Sequence, residues 1–205
     1  MNFKKISIFF VLVVIIGFVY LFLNREPEVL NYPSSGIGIV AFGDSLVYGQ
    51  GSTSGNDFVS LLSKELSVQI KNLGESGDTT TLALLRIDEV TKENPKVVLV
   101  LLGGNDYLRK IPKKETFKNL GEIIEKIQSS GAVVVVLGVR GGLLRDSYES
   151  DFEDFTREYK TAYVPNVLDG LIGNSEFMSD SIHPNDKGYA IIASRVLPVL
   201  KKYTQ

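Results

Sequence analysis

Ile37-Gly38-Ile39-Val40-Ala41-Phe42 runs straight into Gly43-Asp44-Ser45-Leu46, and the reading of this stretch decides the fold. An apolar run with no polar alternation suits a strand covered on both faces, and the glycine that ends it suits a turn. Two later runs repeat the pattern, Val97 to Leu102 and Ala132 to Val139, while Val68 to Asn72 alternates as a strand and Tyr163 to Val167 makes a short last one. Between them the apolar period changes to that of helices. Phe58, Leu61, Leu62 and Leu66 share one stripe, as do Ala83, Leu84, Ile87 and Val90 in a helix capped by Asp78 or Thr79 and closed by Asn94-Pro95. Phe117, Leu120, Ile123, Ile124 and Ile127 form the clearest amphipathic helix, ended by Ser129-Ser130-Gly131, and Lys187 to Lys201 is expected to close the chain as a helix. Strands alternating with helices in this way predict an α/β domain with a parallel sheet of about five strands covered on both faces.

In such sheets function gathers where strands end and loops begin. Ser45 follows the first strand, Gly77 the second, within Glu75-Ser76-Gly77-Asp78-Thr79, and Asn105 the third, within Gly103-Gly104-Asn105-Asp106. His183, the single histidine of the chain, sits in Asp180-Ser181-Ile182-His183-Pro184 before the last helix. Each motif alone is compatible with an ordinary turn. Four in order at one sheet edge point to a single site. A serine nucleophile needs a base of near-neutral pKa, so Ser-His chemistry here must run through His183, with Asp180 placed to fix the ring tautomer. Gly77 can present a backbone N–H to an oxyanion, and Asn105 an amide N–H without added charge. Asp106 reads as a structural hydrogen-bonding residue.

Taken together, Gly43-Asp44-Ser45-Leu46, Ser76-Gly77-Asp78-Thr79, Leu102-Gly103-Gly104-Asn105-Asp106 and Asp180-Ser181-Ile182-His183-Pro184 resemble the four blocks of the SGNH (GDSL-type) hydrolase superfamily, nearest its bacterial thioesterase I / lysophospholipase-like branch. The resemblance implies a flavodoxin-like three-layer α/β/α sandwich, no cofactor, and hydrolysis of esters or thioesters. It implies Ser45 as nucleophile, His183 and Asp180 as its partners, and an oxyanion hole made by the Ser45 backbone N–H, Gly77 and Asn105. Gly43-Asp44-Ser45-Leu46-Val47 lacks the second glycine of G-x-S-x-G, so an α/β-hydrolase elbow is excluded, and no P-loop or dinucleotide glycine pattern follows the first strand.

The chain has 205 residues, 44% hydrophobic and 22% charged, which suits one substantial globular domain. A net charge of -2 gives no reason to expect nucleic acid, the absence of cysteine excludes thiolate chemistry, and no metal-ligand spacing or obligate protein partner is evident. Residues 1–24 differ from the rest. Lys4 and Lys5 precede an uncharged apolar run over residues 6–23, long enough to span a bilayer and not followed by a small-x-small cleavage site. The expectation is an uncleaved single-pass membrane anchor with the catalytic domain outside the cytoplasm. A cleaved signal, giving a periplasmic or secreted enzyme, and a buried helix are the alternatives; members of the resembling branch are often exported with a cleavable signal. Residues 25–36 read as a tether and 37–205 as the hydrolase domain.

For substrate, lysophospholipids or medium-chain acyl esters are favoured. Arg140-Gly141-Gly142-Leu143-Leu144 either sets leucines beside the acyl chain or is a plain loop. O-acetylester hydrolysis or acyl transfer on envelope carbohydrate stays open, as does a membrane-anchored lipid-binding protein that kept the fold without turnover.

Overall fold

The structure, a computed structural model, describes residues 17–18, 28–139 and 148–204. Its centre is β1 (Gly38–Gly43), which pairs in parallel with β2 (Ile70–Gly74) on one side and β3 (Pro95–Leu101) on the other. Beyond β3 lie β4 (Val133–Leu137) and β5 (Ala162–Val164), giving one parallel sheet of order β2-β1-β3-β4-β5. Parallel neighbours need crossovers, and the helices supply them while covering both faces. Phe58–Leu66 packs with the closing helix Asp186–Thr204 on one face, and Thr80–Leu85 with Lys113–Ser129 on the other. All seven residues of β3 except Lys96, and all five of β4, are buried, which is why their sequences are unbroken apolar runs. The chain leaves β1 for β2 and later returns to β3 on the far side, so the strand order reverses between β1 and β3. A crevice opens at the carboxyl ends of strands at such a point.

Several boundaries differ from those the sequence suggests. β2 begins at Ile70, two residues late, because Ser67 turns left-handed (φ 52) and Val68 N donates to Ser63 O, spending both residues on the end of the preceding helix. The helix expected from Thr79 to Asn94 is two pieces, Thr80–Leu85 and Asp88–Thr91, with Arg86 at the break. β4 stops at Leu137 because Gly138 is bonded to Val164 and Val167 instead, and β5 stops before Pro165 and Asn166, whose φ is 20°. A helix at Tyr148–Glu158 has no counterpart in the sequence reading; it sets Tyr148, Phe152 and Phe155 against Phe117.

Residues 28–36, read from the sequence as tether, lie docked on the domain. Leu30 N donates to Lys160 O, Asn31 Nδ2 to Gln128 O and Ala132 O, and Ser34 Oγ to Gly131 O. Their polar side chains, which hide any hydrophobic period, are what make these bonds. No helix among the described residues is long and apolar enough to cross a membrane. The run over residues 6–23, apart from Gly17 and Phe18, and the loop at Arg140 to Leu144 lie outside the described residues.

Candidate active site

Ser45 opens a four-residue helix, Ser45–Tyr48, directly after β1. The corner is tight: a Cβ on Gly43 would sit 2.1 Å from Leu101 O, so only glycine fits. Asp44 caps the helix, its Oδ1 accepting from Leu46 N at 3.0 Å, and Gly49 closes it with φ 91. Burial outweighs the Leu46 bond and, with the charges of Asp78 and Asp106 nearby, pushes the Asp44 carboxyl up to about 7.

His183 reaches Ser45 from the turn before the last helix. Its Nε2 lies 3.1 Å from Ser45 Oγ and its Nδ1 2.7 Å from Asp180 Oδ2. An ionised carboxylate only accepts, so Nδ1 carries the ring proton and Nε2 is left to accept from the Ser45 hydroxyl. Asp180 stays ionised: the backbone N–H of Ile182 first, then the His183 ring, lowers its carboxyl to about 2. Both Ile182 N and His183 N donate to Asp180 Oδ1 at 2.8 Å, so the carboxylate shapes the turn as well as holding the ring. Ser179 donates to His183 O through both N and Oγ, and Asp186 accepts from Thr53 and Asn56, fastening the loop after Ser45 to the start of the last helix.

Asn105 lies on a short helix, Gly104–Leu108, after β3. Its Nδ2 donates to Asp78 O at 2.9 Å, which uses one of two amide hydrogens. Gly77, with φ 87, occupies the third position of a turn closed by Asp78 N to Glu75 O, a place that demands glycine. Arg109 Nη2 donates to its carbonyl at 2.9 Å. Ser45, Asn105 and His183 thus meet in one cavity, with Asp180 behind the ring, whereas Gly77 stands at the flank and does not line the cavity wall. Asp106 is fully buried and accepts from Thr80 N, Thr80 Oγ1 and Thr116 Oγ1, a structural role as its sequence context suggests.

Two features went unread in the sequence. Arg86 donates to Asp78 Oδ2, Leu73 O and Gly43 O and lies over the Phe42 ring, tying the ends of β1 and β2 to the Gly77 turn. An arginine beside a stripe of apolar residues was its only signal. The cavity, about 410 Å³, is walled mainly by Leu46, Leu108, Val139, Leu168, Ile172 and Ile182; the turns that follow β5 carry no motif that announces Leu168 or Ile172. No cluster of metal-ligating side chains occurs among the described residues.

A hydroxyl hydrogen-bonded to an imidazole, itself oriented by a carboxylate, beside an apolar pocket, is an arrangement suited to acyl transfer. Residues 41–191 match the model of the GDSL-like lipase/acylhydrolase family. The chain belongs to this family. It is a hydrolase acting on ester bonds. Among relatives of this GDSL-like hydrolase, esterase TesA of Pseudomonas aeruginosa is 32% identical over 178 residues, covering 80% of this chain and 87% of the relative. Thioesterase 1/protease 1/lysophospholipase L1 of Escherichia coli K12 is 26% identical over 164 residues, covering 76% and 79%. The crystal structure of TesA matches the fold with a TM-score of 0.75 at 28% identity, covering 82% of this chain and 99% of that one.

Proposed function

We propose that this GDSL-like hydrolase cleaves lysophospholipids or medium-chain acyl esters and thioesters through an acyl-enzyme on Ser45. The observation that carries the reading is the hydrogen-bonded chain Ser45–His183–Asp180 on the wall of an apolar cavity. Ser45 Oγ attacks the acyl carbon while His183 Nε2 takes its proton. The oxyanion that forms is held by the Ser45 backbone N–H and the second amide hydrogen of Asn105, and the Gly77 N–H, at the flank of the cavity, is the third donor that the family resemblance implies. The tetrahedral carbon then expels the alcohol or thiol, which leaves with the proton from His183. Water, deprotonated by the same nitrogen, attacks the Ser45 ester, and collapse returns the acid and the free hydroxyl. Asp180, ionised throughout, favours the imidazolium at both steps.

The apolar walls favour an acyl chain longer than acetyl. The E. coli relative, whose name includes thioesterase and lysophospholipase, supports the same substrate classes. The run over residues 6–23 is assigned as an anchor that holds the domain outside the cytoplasm.

The test is hydrolysis of p-nitrophenyl esters from acetate to palmitate by the full chain, with Ser45→Ala and Asn105→Ala alongside. Activity should peak at medium or long chains, vanish in Ser45→Ala, and fall about 10²–10³-fold in kcat for Asn105→Ala. A peak at acetate would move the substrate to O-acetylated carbohydrate, and full activity in Ser45→Ala would end the mechanism.

A further inference from the structure

Three large apolar side chains surround the cavity mouth yet stay open to solvent: Tyr107 at 43% exposure, Leu108 at 53% and Ile182 at 39%. Two of them head a segment of unusual charge. Over residues 107–115, Arg109, Lys110, Lys113 and Lys114 face one acid, Glu115, a net +3 in a chain of net -2. The remainder therefore carries -5. Arg109, Lys110 and Lys114 are solvent-exposed, and among the described residues none of the three is in an ion pair. Arg109 bonds only a carbonyl, that of Gly77, so its charge is not neutralised; Lys113 is engaged by Asp151.

Exposed aromatic and aliphatic side chains flanked by cations are the composition of segments that settle at a lipid–water boundary. Here the apolar members are continuous with the walls of the substrate cavity. A surface that covers Tyr107, Leu108 and Ile182 would therefore deliver an acyl chain to Ser45 without exposing it to water.

We infer that residues 107–114, with Ile182, form a docking face for an anionic lipid surface from which the enzyme draws its ester. The inference rests on the reading of the substrate as a lipid ester and adds how that substrate is met. The attraction is supplied chiefly by Lys110 and Lys114, which lie outside the cavity, so docking and chemistry are separable. A second copy of the chain is the rival occupant; a face of net +3 repels the same face of another copy, and a copy docked through a different face would show as a dimer in the test.

The experiment uses the full chain in phosphatidylcholine proteoliposomes, offered separate vesicles of phosphatidylglycerol or phosphatidylcholine that carry p-nitrophenyl palmitate. Each cation near an anionic leaflet contributes about 1 kcal/mol, so Lys110→Gln/Lys114→Gln should lower the rate on dilute phosphatidylglycerol vesicles about 30-fold. Rates on phosphatidylcholine vesicles and on soluble p-nitrophenyl butyrate should not change. The 30-fold gap should close near 1 M salt, where the screening length is about 3 Å. Equal rates of variant and wild type on phosphatidylglycerol would overturn the inference. So would a wild-type dimer that the variant loses without any lipid effect. Absence of Ser45-dependent hydrolysis of any p-nitrophenyl ester from acetate to palmitate would instead sink the esterase reading itself.

Discussion

Asp44 is held where ionisation is costly, one residue before the nucleophile and almost wholly out of water, yet its oxygen is needed to cap the Ser45 helix. The consequence is a pH-dependent stability. Below about pH 4 the carboxyl is protonated in both folded and unfolded chains and nothing is lost. As pH rises from its ordinary value of 3.8 to about 7, the unfolded chain releases the proton and the folded one keeps it, so stability falls. Above 7 the loss is complete, roughly 4 kcal/mol at about 1.4 kcal/mol per pH unit as an upper bound. Asn keeps a capping oxygen without the charge, so Asp44→Asn should lose about 2–3 kcal/mol less than wild type between pH 5 and 8, read from urea midpoints. Asp180 does not interfere, because its carboxyl, lowered to about 2, gives stability that is already complete above pH 4 and is lost only below it. An equal pH slope in both proteins would remove the argument. None of this was legible in the sequence. Asp44 reads there as part of a turn, while Ser45, Asn105, Asp180 and His183 were legible because their residue types carry the chemistry directly. Burial and the convergence of three carboxylates are properties of packing, and no spacing along the chain encodes them.

At the scale of elements, the central strands were legible because burial on both faces leaves an unbroken apolar run, as in Val97 to Leu102. The helix Tyr148–Glu158 went unread although Tyr148, Phe152 and Phe155 stand at helical spacing, because these three aromatics alone mark its buried stripe in an otherwise polar stretch. Nor did the break at Arg86 show itself, since the helical stripe continues through it to Ile87 and Val90. The physical content of that break is an ion pair: Arg86 and Asp78 have side chains only 15% and 10% exposed, 2.6 Å apart, and the same guanidinium reaches the carbonyls that end β1 and β2. Removing one partner strands the other charge, at a cost of about 3–5 kcal/mol, whereas removing both does not. Arg86→Ala and Asp78→Ala should each destabilise by that order, and the double variant by at least 2 kcal/mol less than their sum in a denaturation cycle. Strict additivity would show that the pair is not a unit.

On the scale of the whole molecule, the route of residues 28–37 sets a direction. Leu30, Asn31, Ser34 and Ile37 bond to Lys160, Gln128, Ala132, Gly131 and Asn94, most of them residues immediately before β5, β4 and β3. The chain therefore enters along the amino ends of the strands, and Ser45 lies past the carboxyl end of β1. The seven residues of β3 alone put about 23 Å between those edges at about 3.3 Å per residue. From the apolar run at 6–23, residues 24–27 can reach at most about 14 Å. An enzyme anchored by that run must turn its cavity away from its own bilayer and toward whatever faces it. In proteoliposomes the full chain should hydrolyse p-nitrophenyl palmitate held in separate vesicles and leave the ester in its own vesicles largely intact. Inserting a 25-residue Gly/Ser segment between Pro27 and Glu28 should restore attack on its own vesicles, because a flexible linker of that length spans about 25–30 Å on average. If the unmodified enzyme consumes the ester in its own bilayer at the same rate, then either residues 28–36 undock from the domain or residues 6–23 do not remain as its anchor, and a chain cleaved before Glu28 separates the two by losing all attachment to the vesicle.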